Sequence, residues 1–153
     1  MALFGPPKTL NVKKAMAATE SFFKKDLGLT EVEGKLNGKG GAQIVARGIT
    51  IFDFETLYCG VCVFESGYMS FAVDFDTELT SAPLDLYEAI NAFNKESAGW
   101  KAYFDDDSIN FDYEVDTVND ETFLDNLKGA LDRILDDDSK ASMQPMFKYF
   151  IKG

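Results

Sequence analysis

The sequence predicts an α+β domain in which an antiparallel sheet of five to six strands carries its helices on one side. Apolar residues recur at three- and four-residue spacing in three segments, as amphipathic helices require. Strictly alternating apolar and polar residues follow the second of these segments, which indicates half-buried strands. Residues 1–153 contain no internal repeat and no linker composition, so we expect a single domain.

The first half of the chain predicts one helix followed by a β-meander of three or four strands. Residues 11–27 place apolar side chains on one face, Thr9 or Asn11 can cap the start, and Gly28 suits the end. Glycine-bearing turns separate the segments that follow, which are rich in β-branched and aromatic residues. The strand candidates are residues 30–36, 43–54, 57–64 and 69–75.

The second half predicts a helix, a two-stranded hairpin and a closing helix. Residues 83–98 have helical spacing, whereas Trp100–Phe104 and Ile109–Val115 alternate between apolar and polar side chains. Helical spacing returns after residue 119 and continues to Leu135. Asp136–Asp138 then predicts a break, because three carboxylates at a helix C-terminus oppose the helix dipole.

The composition is that of a folded, cytoplasmic protein of bacterial style. Hydrophobic residues make up 46% of the chain and aromatic residues 14%, which is enough for a full core. No apolar run approaches the ~20 residues of a membrane span, so we expect no membrane association. Met1–Lys8 lacks the long apolar stretch of a signal peptide, and two cysteines do not make a disulfide framework.

The charge is strongly acidic and unevenly distributed. The net charge is -11, yet residues 1–50 hold 8 Lys+Arg against 4 Asp+Glu, and the remaining residues hold 7 against 22. Nucleic-acid binding is not expected, because phosphate neutralisation needs Lys and Arg. Two interpretations stay open. Surface carboxylates keep a small domain soluble, and they also attract a basic partner or the basic N-terminal part of a second copy.

The sequence predicts no enzyme and no cofactor. It contains no histidine, which removes the usual general base near neutral pH and most transition-metal sites. Cys59-Gly60-Val61-Cys62 has the CxxC spacing but lies in a strand pattern. Residues i and i+3 of a strand point to opposite faces, so these thiols cannot easily pair. We expect buried strand cysteines rather than a redox or zinc site.

Acidic clusters offer an alternative function, the binding of a divalent metal ion or a small molecule. Carboxylate oxygens are the ligands of Ca²⁺ and Mg²⁺, but the spacing of an EF-hand loop is absent here. Solvated strand and helix ends explain the same clusters more simply. The clusters are Asp105–Asp107, Asp136–Asp138, and Asp74 with Asp76 and Glu78.

Three segments carry a resemblance to a known family. They are LYEAINAFNK (86–95), WKAYFDDDSINFDYEV (100–115) and ETFLDNLKGALDRIL (121–135), in which Asn91 and Asn94 match a helix end and 105–108 match an acidic hairpin tip. In these segments the chain resembles the YbjN-type family of bacterial proteins, whose fold is like that of type III secretion chaperones. The resemblance implies a small acidic homodimer that holds an extended segment of a partner protein. That family is linked with regulation and supplies no functional residues to transfer.

We therefore expect a protein-binding module, chaperone-like or regulatory, that acts as a homodimer or on a protein partner. Residues 51–54 and 61–64 look apolar on both strand faces, which suggests more apolar surface than the chain's own helices can cover. The predicted partner or dimer surface consists of Ile51, Phe52, Phe54, Val61, Val63 and Phe64.

Overall fold

The computed structural model describes residues 9–151 and contains one six-stranded antiparallel sheet, four α-helices and a small separate hairpin. The α+β class and the antiparallel sheet are thereby confirmed. The strands are β1 (Glu33–Leu36), β2 (Gly41–Ala46), β3 (Thr50–Ile51), β4 (Phe54–Glu55), β5 (Tyr58–Phe64), β6 (Met69–Asp76), β7 (Trp100–Asp105) and β8 (Ser108–Val115). The sheet order is β1-β2-β5-β6-β8-β7, and β3 pairs with β4 apart from it.

The helices are amphipathic and bury one stripe each. The first helix continues into a π-helical turn, Phe22–Asp26. Gly28 then takes the positive φ of +65° that suits a helix C′ position. The α-helices are α1 (Val12–Ser21), α2 (Leu84–Glu96), α3 (Phe123–Ile134) and α4 (Asp137–Met143), and a 3₁₀ segment (Gln144–Tyr149) follows α4. In residues 9–151 no helix combines the length and apolarity that crossing a bilayer demands.

The core lies between the helices and one face of the sheet. One row of side chains in register crosses the sheet from β2 to β7, and each of its members is at most 8% exposed. The row consists of Ile44, Val61, Phe71, Tyr113 and Trp100. Helix α3 closes over this row where the indole Nε1 of Trp100 donates to the Ala130 carbonyl at 2.8 Å. All described helices belong to this side of the sheet.

The predicted strand 43–54 is wrong in its second half. Strand β2 ends at Ala46, Gly48 adopts a φ of +72°, and the chain then folds into the β3–β4 hairpin. Phe52 and Asp53 form its tip with φ values of +48° and +72°. Asn and Gly usually occupy such left-handed turn positions, so a Phe-Asp pair gives no local turn signal.

The placement of the last acidic cluster also needs correction. Asp136 is the N-cap of α4, and its Oδ1 accepts from the Ser139 backbone N–H at 2.7 Å. Asp137 and Asp138 therefore occupy the first turn of a new helix, where the dipole favours negative charge. The predicted break is present, but the carboxylates begin a helix rather than end one.

The two edges of the sheet differ. At β7 the Asn94 side chain of α2 acts as a substitute strand, since its Nδ2 donates to the Ala102 carbonyl at 3.0 Å and its Oδ1 accepts from the Ala102 N–H at 2.7 Å. This contact occupies the outward backbone groups of Ala102 and so hinders strand pairing at that edge. Strand β1, at the other edge, is short and mostly exposed.

Candidate functional site

Within residues 9–151 no other element covers the face of the sheet opposite the helices, and we call it the open face. Its side chains alternate with those of the core along every long strand, and they are half-buried or exposed. The middle of the open face consists of small residues, so no long side chain projects from the sheet there. We call these residues the floor of the open face: Gly60, Cys62, Ser70 and Ala72. The other members on the central and β7-side strands are Tyr58, Asp74, Asp76, Lys101, Tyr103, Asp105, Asn110, Asp112 and Glu114.

Two exposed tyrosines frame one row of the open face. Tyr58, Asp74, Asn110 and Tyr103 lie in register across four strands, with Tyr58 46% and Tyr103 44% exposed. Neighbouring strands are about 4.8 Å apart, so the backbones of Tyr58 and Tyr103, three strand spacings apart, are separated by roughly 14 Å. Between them lie a carboxylate and an amide, which gives the row aromatic ends and a polar middle.

The carboxylates of the open face bind neutral groups rather than cations. Asp74 Oδ1 accepts from the Tyr58 backbone N–H at 3.0 Å, Tyr68 Oη donates to Glu114 Oε1 at 3.0 Å, and Asp112 lies near the neutral Tyr103 hydroxyl. Within residues 9–151 none of these three carboxylates forms an ion pair. Partial burial raises the pKa of Asp74 and of Asp112, because desolvation penalises the charged form.

We expect Asp112→Asn to stabilise the protein at pH 7 by about 0.5 kcal/mol, a small gain because a half-exposed carboxylate is screened by solvent. Burial, and then the charge of Glu114, raise the pKa of Asp112 in the folded state. The wild type therefore gains stability as the pH falls through that raised pKa, and the gain is complete below the ordinary value of 3.8. Urea unfolding from pH 7 to pH 3 measures the difference. A constant gap between the two proteins across this range would contradict the assignment.

Of the six residues predicted to form a partner or dimer surface, four lie in the core and two lie at its edge. Val61 and Val63 are 0% exposed and point toward the helices, because the alternation of β5 puts them on the covered face. Ile51 and Phe54 are buried as well. Their cover comes from the chain itself, since the Phe54 ring lies 5.1 Å from Phe147 and 5.2 Å from Phe150. These four residues are thus not part of the surface.

Phe52 and Phe64 are the two members of the predicted surface that keep partial exposure. Phe52 lies beside the Phe147 ring at 6.1 Å, with the Lys140 Nζ 5.8 Å from its own ring centre. Phe64 lies at the end of the open face, and its ring is 5.9 Å from that of Tyr68. The six residues therefore do not form one surface, and only Phe64 belongs to the open face.

The two cysteines point to opposite faces of β5, as predicted. Cys59 is 0% exposed in the core, whereas Cys62 lies half-buried on the open face, and both are free. Burial raises the pKa of the Cys59 thiol to about 12, and the charge of Asp74 adds to this effect. The Cys59 thiol is therefore chemically inert while the protein is folded.

We expect N-ethylmaleimide at pH 7.5 to modify Cys62 in the folded protein and to modify Cys59 only after unfolding. Cys62 is solvent-accessible, whereas Cys59 is buried and its pKa keeps it protonated. Mass spectrometry of the tryptic peptides measures the two rates, and Cys62→Ser serves as the control that should abolish native-state labelling. Equal rates at both thiols would show that β5 does not have this register.

The acidic clusters do not gather into an ion-binding arrangement in the described part of the chain. No group of three or more Cys, Asp or Glu side chains there is placed to hold a metal ion. Asp105–Asp107 forms the tight turn of the β7–β8 hairpin, with Asp106 at a φ of +56°. Asp76 is engaged locally, since its Oδ1 accepts from the Thr77 N–H at 3.0 Å.

Several surface clefts lie outside the open face, and two of them are large. One of about 640 Å³ lies between the start of α1 and the β1–β2 turn, where Asn37 Oδ1 accepts from the Lys39 and Gly41 backbone N–H groups. The other, of about 610 Å³, lies between α2, α3 and α4. In the second cleft Ser139 Oγ donates to the Arg133 carbonyl at 2.6 Å, a contact that joins α3 to α4. Both clefts are thus explained by turns and helix junctions.

Comparisons with known proteins give no match. No family model matches the chain, and neither a curated protein nor a solved structure matches it. The resemblance to the YbjN-type family therefore stays a prediction.

The members of the open face are far apart in the sequence, and no local pattern predicts that they form one site. The sequence predicts solvated strand ends at Asp74 and Asp76 and alternation in residues 100–104 and 109–115, without singling out Tyr103 or Asp112. The alternation along the strands carries part of this information, because it places the side chains of Tyr58, Asp74 and Asp112 on the same face of the sheet. Strand order was the missing information, since it decides that these residues become neighbours.

Proposed function

We propose that this protein is a non-catalytic protein-binding module whose partner docks on the open face of the sheet. The observation that carries the proposal is this uncovered face. An antiparallel sheet can leave one face in water. On this face, however, half-buried carboxylates and exposed tyrosine rings reduce the stability of the protein while no partner covers them. Tyrosine is also a residue enriched in protein interfaces, because its ring is apolar and its hydroxyl forms hydrogen bonds.

The chaperone-like or regulatory role that we infer fits this arrangement. A flat floor of small residues leaves room for an extended segment, and the tyrosines at 58 and 103 can hold it from two sides. The expected homodimer does not suit the open face, since two copies would bring the same carboxylates together. We therefore place any self-association elsewhere on the molecule, where light scattering at increasing concentration measures it.

The test blocks the open face with a neutral side chain. A Cβ added at Gly60 would meet only the Ile44 carbonyl oxygen, at 3.8 Å, so a side chain can begin at this position without a Cβ clash. We expect Gly60→Tyr to abolish capture of the partner from a lysate of the source organism. Gly60→Ala is the matched control at the same position, and Ala17→Tyr adds the same ring to the exposed side of α1.

Labelling of Cys62 reports on the same surface. In a complex that uses the open face, the reaction of Cys62 with N-ethylmaleimide should slow by about tenfold or more while the partner is bound. Loss of capture in Gly60→Tyr alone, together with Cys62 protection, supports the proposal. Capture that survives Gly60→Tyr, or a bound partner that leaves Cys62 reactive, overturns it.

A further inference from the structure

We infer that the partner segment received by the open face is rich in lysine or arginine, an inference that rests on the proposed function. The face has a strong charge imbalance on its β6, β8 and β7 strands. Its one cation on these strands, Lys101, donates from Nζ to the Asn94 carbonyl at 2.7 Å and so is held toward α2. The carboxylates on the same strands are Asp74, Asp76, Asp105, Asp112 and Glu114.

Three of these carboxylates, Asp74, Asp112 and Glu114, form no ion pair with any residue in the range 9–151. Asp74 accepts a hydrogen bond from a backbone N–H and Glu114 accepts one from a tyrosine hydroxyl, both neutral donors, while Asp112 has the neutral Tyr103 hydroxyl nearby. A partly buried carboxylate is expensive until a cation or further donors satisfy it. An ammonium or guanidinium group above the floor of the sheet would supply both the charge and the donors.

The tyrosines of the open face suit the same partner. Tyrosine rings attract ammonium and guanidinium groups through the negative charge of the ring face. Tyr58 already has such a neighbour, because the guanidinium of Arg47 lies 5.8 Å from its ring centre while pairing with Glu31 at 3.1 Å. Tyr103 has an equivalent exposed ring at the other end of the row, beside Asp112.

Charge complementarity selects a basic segment over the open face of a second copy. Face-to-face pairing of two copies would oppose carboxylates to carboxylates, which costs free energy and slows association. An extended basic segment instead places alternate side chains toward the face, at about 6.6 Å intervals, and these can reach Asp74 and Asp112 on adjacent strands. The occupant that fits is therefore a basic segment of another protein.

The test uses an acetylated peptide of about ten residues in which Lys and Ser alternate, with a Glu/Ser peptide of equal length for comparison. Calorimetry measures affinity at low and at physiological salt, and N-ethylmaleimide measures the exposure of Cys62. We expect the Lys/Ser peptide alone to bind, to slow Cys62 labelling, and to bind more weakly as salt rises.

Two triple variants with the same net charge separate site binding from simple attraction to an acidic protein. The face variant carries Asp74→Asn, Asp112→Asn and Glu114→Gln. The control variant carries Glu88→Gln, Glu121→Gln and Asp132→Asn, all exposed positions on or beside helices of the covered side. Both change the net charge from -11 to -8. We expect the face variant to lose about tenfold or more in affinity and the control variant less than about threefold.

The outcomes distinguish this inference from the proposed function. Equal affinity of the two triple variants, or binding that leaves Cys62 reactive, overturns the inference, because net charge alone would then explain the result. If the captured cellular partner is lost in Gly60→Tyr but kept in the face variant, the inference fails while the docking face stands. Self-association that Gly60→Tyr abolishes would identify a second copy as the occupant and would also overturn it. Capture unaffected by both variants removes the proposed function itself.

Discussion

Val63→Asp should leave the protein unfolded at pH 7. Val63 is 0% exposed, lies on the covered face of β5, and pairs in register with Ala42 and Met69. An ionised carboxylate at this point has no cation or donor to compensate its lost hydration, which costs more than about 4 kcal/mol. Since a domain of this size has about 5–15 kcal/mol of stability in total, far-UV circular dichroism should show loss of most structure or a greatly lowered urea midpoint.

The neighbouring substitution Cys62→Asp gives the matched control. Cys62 stands next to Val63 in the same strand, but its side chain points to the open face. We expect Cys62→Asp to fold with a spectrum like that of the wild type and with a loss of less than about 1.5 kcal/mol. Similar losses from both substitutions would mean that the two faces of β5 are equally covered, contrary to the structure.

This pair of variants also separates what the sequence predicts from what it does not. Alternation in residues 58–64 predicts a strand and places Val61 and Val63 on the same side. The same segment looks apolar on its other side because Gly60 and Cys62 are small and uncharged. The apolar run therefore predicts surplus surface for a partner, whereas in the structure one side is core and the other consists of small residues among carboxylates.

Long-range cover explains the other difference. Ile51 and Phe54 belong to a short hairpin away from the main sheet, and without other contacts they would be exposed. Phe150 buries this region by stacking on Phe75 with ring centres 4.2 Å apart and contacting Phe54 at 5.2 Å. Nothing in the local pattern of residues 51–54 signals a contact with residues almost a hundred positions later. Local periodicity therefore predicts the elements but not which of them cover one another.

The candidate site shows the same limit of local periodicity, because its residues are distant in the sequence and become neighbours only in the folded sheet. The sequence predicts Asp74 as a solvated strand end and Asp112 as a water-facing residue of an alternating strand, and both side chains do lie on the open face. Only the order β5-β6-β8-β7 brings Tyr58, Asp74 and Tyr103 into one row. Partial burial also changes the role of Asp74. A carboxylate that loses part of its hydration raises the free energy of the folded protein, whereas a fully exposed one only adds solubility.

Trp100→Ala should cost about 3–5 kcal/mol, the usual loss for a large aromatic residue removed from a core. Trp100 is 1% exposed and joins three elements of the covered side. Its ring centre lies 5.4 Å from that of Phe71 and 5.6 Å from that of Tyr113, and its Nε1 donates to the Ala130 carbonyl at 2.8 Å. Because Trp100 is the only tryptophan, circular dichroism in urea is the measurement that serves all variants.

Trp100→Phe separates the packing of the indole from its hydrogen bond. Phenylalanine keeps most of the aromatic contact with Phe71 and Tyr113 but has no donor for the Ala130 carbonyl, so we expect a loss of about 1–2 kcal/mol. Helix α3 lies over the sheet through this bond, and its amides should exchange with solvent faster in Trp100→Phe than those of α1, which does not touch the indole nitrogen. A uniform increase in amide exchange across both helices would show that the hydrogen bond adds only to global stability. An increase confined to α3 identifies Trp100 as the residue that holds this helix on the sheet.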